Sequence, residues 1–337
     1  MAEFVSTFIT GFQSVVEKDL AARLPALKII NIFDGLVHYK FNGDSHELEK
    51  IIYFNNTFFV LKTMKGKQLN FPALVGAVCS SKNYFLVNKG SFRIRFVQEN
   101  QFAKVDKSLT RRAEEYVTAN SKLKLDRLSP TNEVWFSIRR ENFAFCGELI
   151  TKREFTEKNL NKGELRPEIA YLICCFADVK PEDTVLEPFC GYGSIPVQLA
   201  KKFRFKKLFV SDADESKVSM TAARKQLANA PQGLIDCRTA DALALPHIED
   251  KSISLVITDP PWGFYEDIGD ISSFYKNMLK SFTRVLAPGG RAVVLSARKE
   301  ELERCAEECR FEIKDSVHTL VNGKKAGVYL LVQAQPV

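Results

Sequence analysis

Residues 184–200, TVLEPFCGYGSIPVQLA, decide the fold. A short apolar run ends on an acid, Glu187, and the chain turns through Gly191-x-Gly193 into an amphipathic run starting at Ser194. Strand, tight turn and helix follow directly. Glycine lets the backbone turn and approach a ligand closely, and the start of the helix presents N–H groups with no intrahelical partner. Gly-x-Gly alone is common at such turns. The spacing is also not the Gly-x-Gly-x-x-Gly of dinucleotide binders, because position 196 is proline.

The flanking sequence repeats the pattern. Upstream, PEIAYLICCFADV reads as a helix opened by Leu165-Arg166-Pro167. Downstream come strand KLFVSDAD, helix SKVSMTAARKQLANA, strands LIDCRTAD and ISLVITDPP, helix SSFYKNMLKSFTRVL and strand RAVVLSA. Strands that are continuously hydrophobic and separated by helices predict a doubly wound parallel sheet. HTLVNG and KAGVYLLVQA flank Asn322-Gly323 and predict an antiparallel hairpin at its edge.

Open α/β sheets bind ligands beyond the carboxyl ends of their strands, where strand order reverses. Four strand ends here carry something unusual. The first holds Glu187 and the glycine turn. The second holds Asp212 and Asp214, and an acid about 20 residues beyond a glycine turn suits a ribose hydroxyl pair. Asp214 is placed to cap the helix that follows. The third is Asp241, an acid suited to an exocyclic amine such as that of adenine.

The fourth is Asp259-Pro260-Pro261-Trp262. An amino group on an aromatic base is a poor nucleophile, because its lone pair is delocalised into the ring. Asp259 and the Pro260 carbonyl can accept its two N–H bonds and aim that lone pair, while Trp262 offers a stacking face. A rigid proline turn beside a core tryptophan would also explain these four residues. Three other occupied strand ends, in order, favour the chemical reading.

The first half has a different texture. FVSTFI (4–9) reads as a strand and FQSVVEKDLAARL (12–24) as a helix. LKIINIF and LVHYKF form a hairpin about Asp34-Gly35, SHELEKIIYF a second helix and TFFVLKTM a strand. A second unit starts near Phe71. In it SFRIRFV (91–97) alternates strictly, setting Arg93 and Arg95 opposite Phe92, Ile94 and Phe96. Residues 105–121 read as a helix with Arg111 and Arg112 in its first half, and 132–150 as two strands about Glu141-Asn142. Residues 151–166 are polar and read as a linker.

Charge divides the chain in the same place. Of a net +7, residues 1–150 hold +6, with 21 Lys and Arg against 15 Asp and Glu. Residues 82–153 alone carry 15 basic and 8 acidic side chains. A basic module joined to a near-neutral one suggests a polyanion partner. The candidate contacts are Arg93, Arg95, Lys104, Lys107, Arg111, Arg112, Arg139, Arg140, Lys152 and Arg153, although a merely solvated basic face has the same composition. No apolar run reaches the roughly 18 residues of a membrane span, and MAEFVSTFITGF lacks a basic secretory start. The eight cysteines form no C-x-x-C pair, and only Cys305 and Cys309 are spaced one helical turn apart. A reduced, cytoplasmic chain without a metal is expected.

Residues 166–337 resemble a class I S-adenosylmethionine-dependent methyltransferase of the subgroup with Asp/Asn-Pro-Pro-aromatic, which methylates exocyclic amines. RPEIAYLIC…DTVLEPFCGYGSIPVQLA resembles the tRNA guanine-N2 methyltransferases that carry a THUMP domain. Residues 66–150, with FRIRFV and EVWFSIRRENFAFCGELI, resemble that THUMP domain, and 1–65 its ferredoxin-like partner.

The resemblance implies a Rossmann-like catalytic domain over 167–337 and a tRNA partner gripped by the basic half, in a monomer. It implies that Glu187, Cys190, Gly191 and Gly193 surround the methionine part of the cofactor. Asp212 would hold its ribose, Asp241 and Ala242 its adenine, and Asp259 to Trp262 the target guanine. Two departures stand out: Tyr192 and Ser194 replace a Ser and a Thr of the family turn, and Trp262 stands where Tyr or Phe is commoner. Ribosomal guanine or an adenine N6 amine are alternative targets, and a non-catalytic tRNA-binding adaptor is the alternative of another class.

Overall fold

The computed structural model describes residues 2–152, 160–264 and 268–334. Contacts divide the chain into two compact units, one of 1–8 with 20–154 and one of 9–19 with 155–337. Arg153 lies outside the described residues.

The first unit begins with β1 (Ala2–Thr7), α1 (Gln13–Arg23), β2 (Lys28–Phe33), β3 (Leu36–Phe41), α2 (His46–Glu49) and β4 (Asn56–Lys65). It continues through α3 (Phe71–Cys79), β5 (Ser91–Gln98), β6 (Gln101–Phe102), α4 (Lys107–Asn120), β7 (Lys124–Leu125), β8 (Asn132–Arg139) and β9 (Phe143–Lys152). Residues 9–19, which include the first turns of α1, group with the second unit.

One sheet runs through the first unit in the order β2-β3-β1-β4-β9-β8-β5-β6, with β7 paired to β5. The 65/66 boundary drawn from sequence therefore falls inside a continuous sheet, because β4 pairs antiparallel with β9. Parallel strands need a long crossover, and α4 supplies it between β5 and β8. The Asp106 carboxylate starts α4 by accepting from the Ser108 N–H at 2.7 Å. Phe71, Leu74, Val75 and Val78 of α3 and Ala113 and Val117 of α4 bury against Phe92, Val134 and Phe136 of the sheet. The helix expected over 45–54 is only α2, four residues long. Beyond it Ile51, Tyr53 and Phe54 are all buried, and the chain bends through four-residue turns to bury them. Packing overrides a weak local helical preference.

The second unit contains α5 (Pro167–Phe176), β10 (Thr184–Glu187), α6 (Ser194–Lys202), β11 (Lys207–Asp212), α7 (Glu215–Ala222), α8 (Lys225–Ala228) and β12 (Ile235–Thr239). After these come β13 (Ile253–Thr258), α9 (Ile271–Val285), β14 (Leu286–Ser296), α10 (Lys299–Glu308), β15 (Phe311–Val321) and β16 (Lys324–Gln333). The sheet order is β12-β11-β10-β13-β14-β16-β15, parallel from β12 to β14 and antiparallel at β16 and β15. This is the doubly wound sheet with an antiparallel edge hairpin. Its order reverses between β10 and β13, which puts the ligand crevice at their carboxyl ends.

Val185, Leu186, Val256, Ile257 and Val293 have no exposed surface, as expected for strands covered on both faces. Tyr275, Met278, Leu279, Phe282 and Val285 form the fully buried stripe of α9. Each such side chain contributes about 2 kcal/mol through burial. The helix expected over 216–230 breaks into α7 and α8, because Arg224 is extended there (φ −59°, ψ 129°).

Candidate active site

At the carboxyl ends of β10, β11 and β13 the second unit encloses a cavity of about 360 Å³. Glu187, Cys190, Gly191 and Asp212 line one side of it, and Asp241, Ala242, Asp259, Pro260, Pro261 and Trp262 the other. Ten of the eleven cofactor and catalytic positions read from sequence therefore share one cavity. Gly193 stands behind the wall as the N-cap of α6. Its φ is +87°, and a Cβ there would fall 2.9 Å from Thr221 Cγ2, so a side chain is excluded twice over. Gly191 has φ +49°, and a Cβ on it would meet nothing within 4 Å, which leaves its backbone open towards the cavity.

The acids are held in different ways. Asp212 braces the glycine turn: one oxygen accepts from Gly191 N–H at 2.9 Å and the other from Asp214 N–H at 3.0 Å. Asp214 caps α7, as expected, by accepting from the Ser216 and Lys217 N–H groups. Asp241 accepts from Leu243 N–H at 2.9 Å through one oxygen. Glu187 is buried, with Oε1 accepting from the Thr258 hydroxyl at 2.7 Å and from Phe189 N–H at 3.0 Å. Its Oε2 is buried without a hydrogen-bond partner. Burial, with Asp259 and Asp212 nearby, raises the Glu187 carboxyl well above the usual carboxylate range. Burial also pushes Asp259 up to about 7, against a smaller opposing pull from Trp262.

Burial thus disfavours the ionised form of both Glu187 and Asp259. A positively charged ligand beside these two groups favours their ionised form again. Among the described residues no group of three or more His, Cys, Asp or Glu is arranged to hold a metal ion, and all eight cysteines are free.

Several lining residues carried no sequence signal. Lys162, Glu164 and Leu165 belong to the stretch read as a linker, yet they form part of the wall. Glu164 is fastened there by Arg224 at 2.8 Å, and Arg224 also donates to the Tyr192 carbonyl at 2.9 Å. Those two contacts account for the extended Arg224 that splits α7 from α8. Ser194 donates to the Leu165 carbonyl at 2.7 Å, which ties the wall to the start of α6. Asn322 and Lys324 reach the cavity from the β15–β16 turn.

The basic positions of the first unit divide into two groups. Arg93 Nε donates to Glu133 Oε1 at 2.8 Å, and Arg95 Nε lies 3.7 Å from the same oxygen. Arg139 is buried, donating to Glu141, Asn100 and the Asp34 carbonyl. Arg140 is exposed but paired with Glu99 at 3.1 Å. Lys104, Lys107, Arg111, Arg112 and Lys152 are exposed.

Residues 153–326, more than half of the chain and the whole cavity wall described above, match a methyltransferase-domain family described as UPF0020, RMKL-like. The chain belongs to this family. Among its relatives is a tRNA (guanine(6)-N2)-methyltransferase of Thermus thermophilus, 27% identical over 224 residues, which are 65% of this chain and 66% of that protein. Another is the human tRNA (guanine(6)-N(2))-methyltransferase THUMP3, 26% identical over 233 residues, 63% of this chain and 45% of that protein. The matched stretch thus spans about two thirds of the first relative and less than half of the second. TrmN from Thermus thermophilus has the same fold over 99% of this chain and all of its own, with a TM-score of 0.79 at 21% identity. In this UPF0020 methyltransferase domain, the family match and the acid-lined cavity fall on the same residues.

Proposed function

We propose that the chain is an S-adenosylmethionine-dependent RNA methyltransferase that modifies the N2 amine of a guanosine in tRNA near the acceptor stem. One observation carries the reading. The Asp259-Pro260-Pro261-Trp262 turn opens into the same cavity as Glu187, Asp212 and Asp241, so acceptors for an aromatic amine face a pocket built for a cation. The residues fit the cofactor: the Gly191 backbone is open, Glu187 Oε2 awaits a partner and Asp212 ends its strand where a ribose is commonly held.

When bound, S-adenosylmethionine supplies an electrophilic methyl group on a sulfonium. Asp259 and the Pro260 carbonyl accept the two N–H bonds of the base amine and draw its nitrogen out of conjugation. Pro260 and Pro261 fix the turn, so that the carbonyl is held in place before the base arrives. Trp262 gives the base a face to stack on. Asp259 takes the amine proton as the new N–C bond forms, and its burial-raised proton affinity suits that role. Transfer from a sulfonium to an amine needs no Lewis acid.

The first unit supplies the RNA grip in this reading, with 1–65 as the ferredoxin-like part, 66–150 as the THUMP part and 151–166 as the linker to the catalytic domain. Lys104, Lys107, Arg111 and Arg112 are its leading contacts, because they are exposed and among the described residues no ion pair of theirs competes with phosphate. The names of the two relatives support tRNA guanine as the target. A cytoplasmic monomer is the expected form. No helix among the described residues is long and apolar enough to cross a membrane. The test is methylation of bulk tRNA with labelled cofactor, followed by nucleoside separation. Label in N2-methylguanosine is expected, and label in methyladenosine, or no transfer to tRNA, would overturn the assignment.

A further inference from the structure

The mouth of the cavity carries the opposite charge from its floor. Phe264, two residues beyond the Asp-Pro-Pro-Trp turn, is 39% exposed. Its ring centroid lies 4.6 Å from the Arg298 guanidinium carbon and 3.8 Å from the Lys324 ammonium nitrogen. The ring also meets Trp262 edge to face, at 6.3 Å and 85°.

Arg298 is held in place, since its Nε donates to the Trp262 carbonyl at 3.0 Å and Glu301 lies 3.9 Å from Nη1. Lys324 opens β16 directly after the Asn322-Gly323 turn and lines the cavity. The other two lining lysines, Lys162 and Lys217, hold interactions of their own.

Two cations on one ring repel each other, and an exposed ring compensates them weakly. An anion arriving beside them removes that repulsion. The floor sets the matching requirement. Four acids line the floor, Glu187, Asp212, Asp241 and Asp259, which suits a base better than a phosphate, so the backbone of an entering nucleotide is best held outside. Lys324 lines the cavity, and Phe264 and Arg298 adjoin the wall through Lys324 and Trp262.

We propose that these three residues form a docking subsite for the strand next to the target nucleotide. The adjoining phosphate sits against Lys324 and Arg298, which the Phe264 ring holds side by side. The inference rests on the RNA reading above, and adds to it how the strand is oriented once one base has entered the cavity. Arg298 does double duty, because its bond to the Trp262 carbonyl couples the phosphate contact to the turn that holds the amine.

The test uses the full chain with tRNA and labelled cofactor. It compares the unaltered protein with Lys324→Glu, Lys324→Arg and Phe264→Ala. Lys324→Glu should raise the KM for tRNA about tenfold or more, leave kcat within about twofold and flatten the salt dependence of binding by about one unit of slope. Lys324→Arg should restore most of the loss. Phe264→Ala should raise the same KM about fivefold or more.

In all three variants the Kd for S-adenosylmethionine by calorimetry should stay within about twofold and thermal melting should be unchanged. An unchanged KM in both Lys324→Glu and Phe264→Ala, or a loss confined to cofactor affinity, overturns the subsite. If the unaltered protein transfers no methyl to any RNA, the function proposed above falls with it. Transfer by the unaltered protein with indifferent variants overturns this inference alone.

Discussion

In the first unit Glu133 receives Arg93 and lies close to Arg95, Glu114 receives Arg127 and Arg139 is enclosed by three partners. In the cavity of the second unit, Glu187 keeps a buried oxygen without a partner, and Asp259 is buried enough to hold its proton near neutrality. The first arrangement spends charge on structure, since a paired ion has little left to offer a ligand. The second keeps two buried acids whose ionised form is disfavoured in the free protein, an arrangement common where a ligand completes the site. Both regions are rich in ionisable residues, and only the second is poised for chemistry.

The most severe way to break that contrast is Asp259→Ala. We expect kcat to fall about a thousandfold, because a positioned acceptor at the reacting amine is lost. Cofactor affinity should change no more than about tenfold, since Glu187 and Asp212 remain. Calorimetry beside a single-turnover assay separates the two. A variant that binds neither cofactor nor RNA would show that Asp259 holds the fold of the site instead of aiming the amine.

Much of this cavity was legible in the sequence, and the reason is physical. Continuous hydrophobic runs such as LFV and LVIT can be little other than covered strands, and Gly191, Gly193, Pro260 and Pro261 mark the turns that follow them. The Arg224 break was illegible, because the partners that hold that residue, Glu164 and Tyr192, lie 60 and 32 residues away. The α10 helix buries only Leu302, Cys305 and Ala306, too thin a stripe to delineate it. In the first unit, alternation in SFRIRFV placed Arg93 and Arg95 on one face. It could not reveal that Glu133 pairs in register with Arg93 on the neighbouring parallel strand. Phe264 and Lys324 meet only because an edge hairpin returns over the crevice.

A second comparison lies within the basic surface itself. Replacing Lys104, Lys107, Arg111 and Arg112 together by alanine should weaken tRNA binding about a hundredfold and make the salt slope shallower by about three. Arg139→Ala should lower stability by about 2 kcal/mol through lost buried hydrogen bonds, with tRNA affinity unchanged while the protein is folded. Filter binding across a salt series and thermal melting read the two effects separately. If Arg139→Ala reproduces the affinity loss, charge spent on structure and charge offered to a ligand are not separable here.

The smallest expected effect is the most specific to the cavity. The Asp259 carboxyl is raised to about 7 because burial disfavours its charged form. In the free protein it is therefore protonated below that pH and ionised above it. S-adenosylmethionine carries a net positive charge at its sulfonium, whereas S-adenosylhomocysteine has a neutral sulfur in the same place. Raising the pH from 6 to 8 should thus tighten S-adenosylmethionine binding by up to about tenfold, the limit for one titrating group near 7. S-adenosylhomocysteine should respond much less, and Asp259→Asn should flatten the difference between the two ligands. Folding has the opposite sign: the folded state binds this proton more tightly than the unfolded chain, so the contribution of Asp259 to stability falls as pH rises from about 4 to about 7. Calorimetric titration of both ligands at three pH values checks the first sign, and melting of the ligand-free protein with and without Asp259→Asn checks the second. Equal pH slopes for the two ligands would place the titrating group away from the sulfonium.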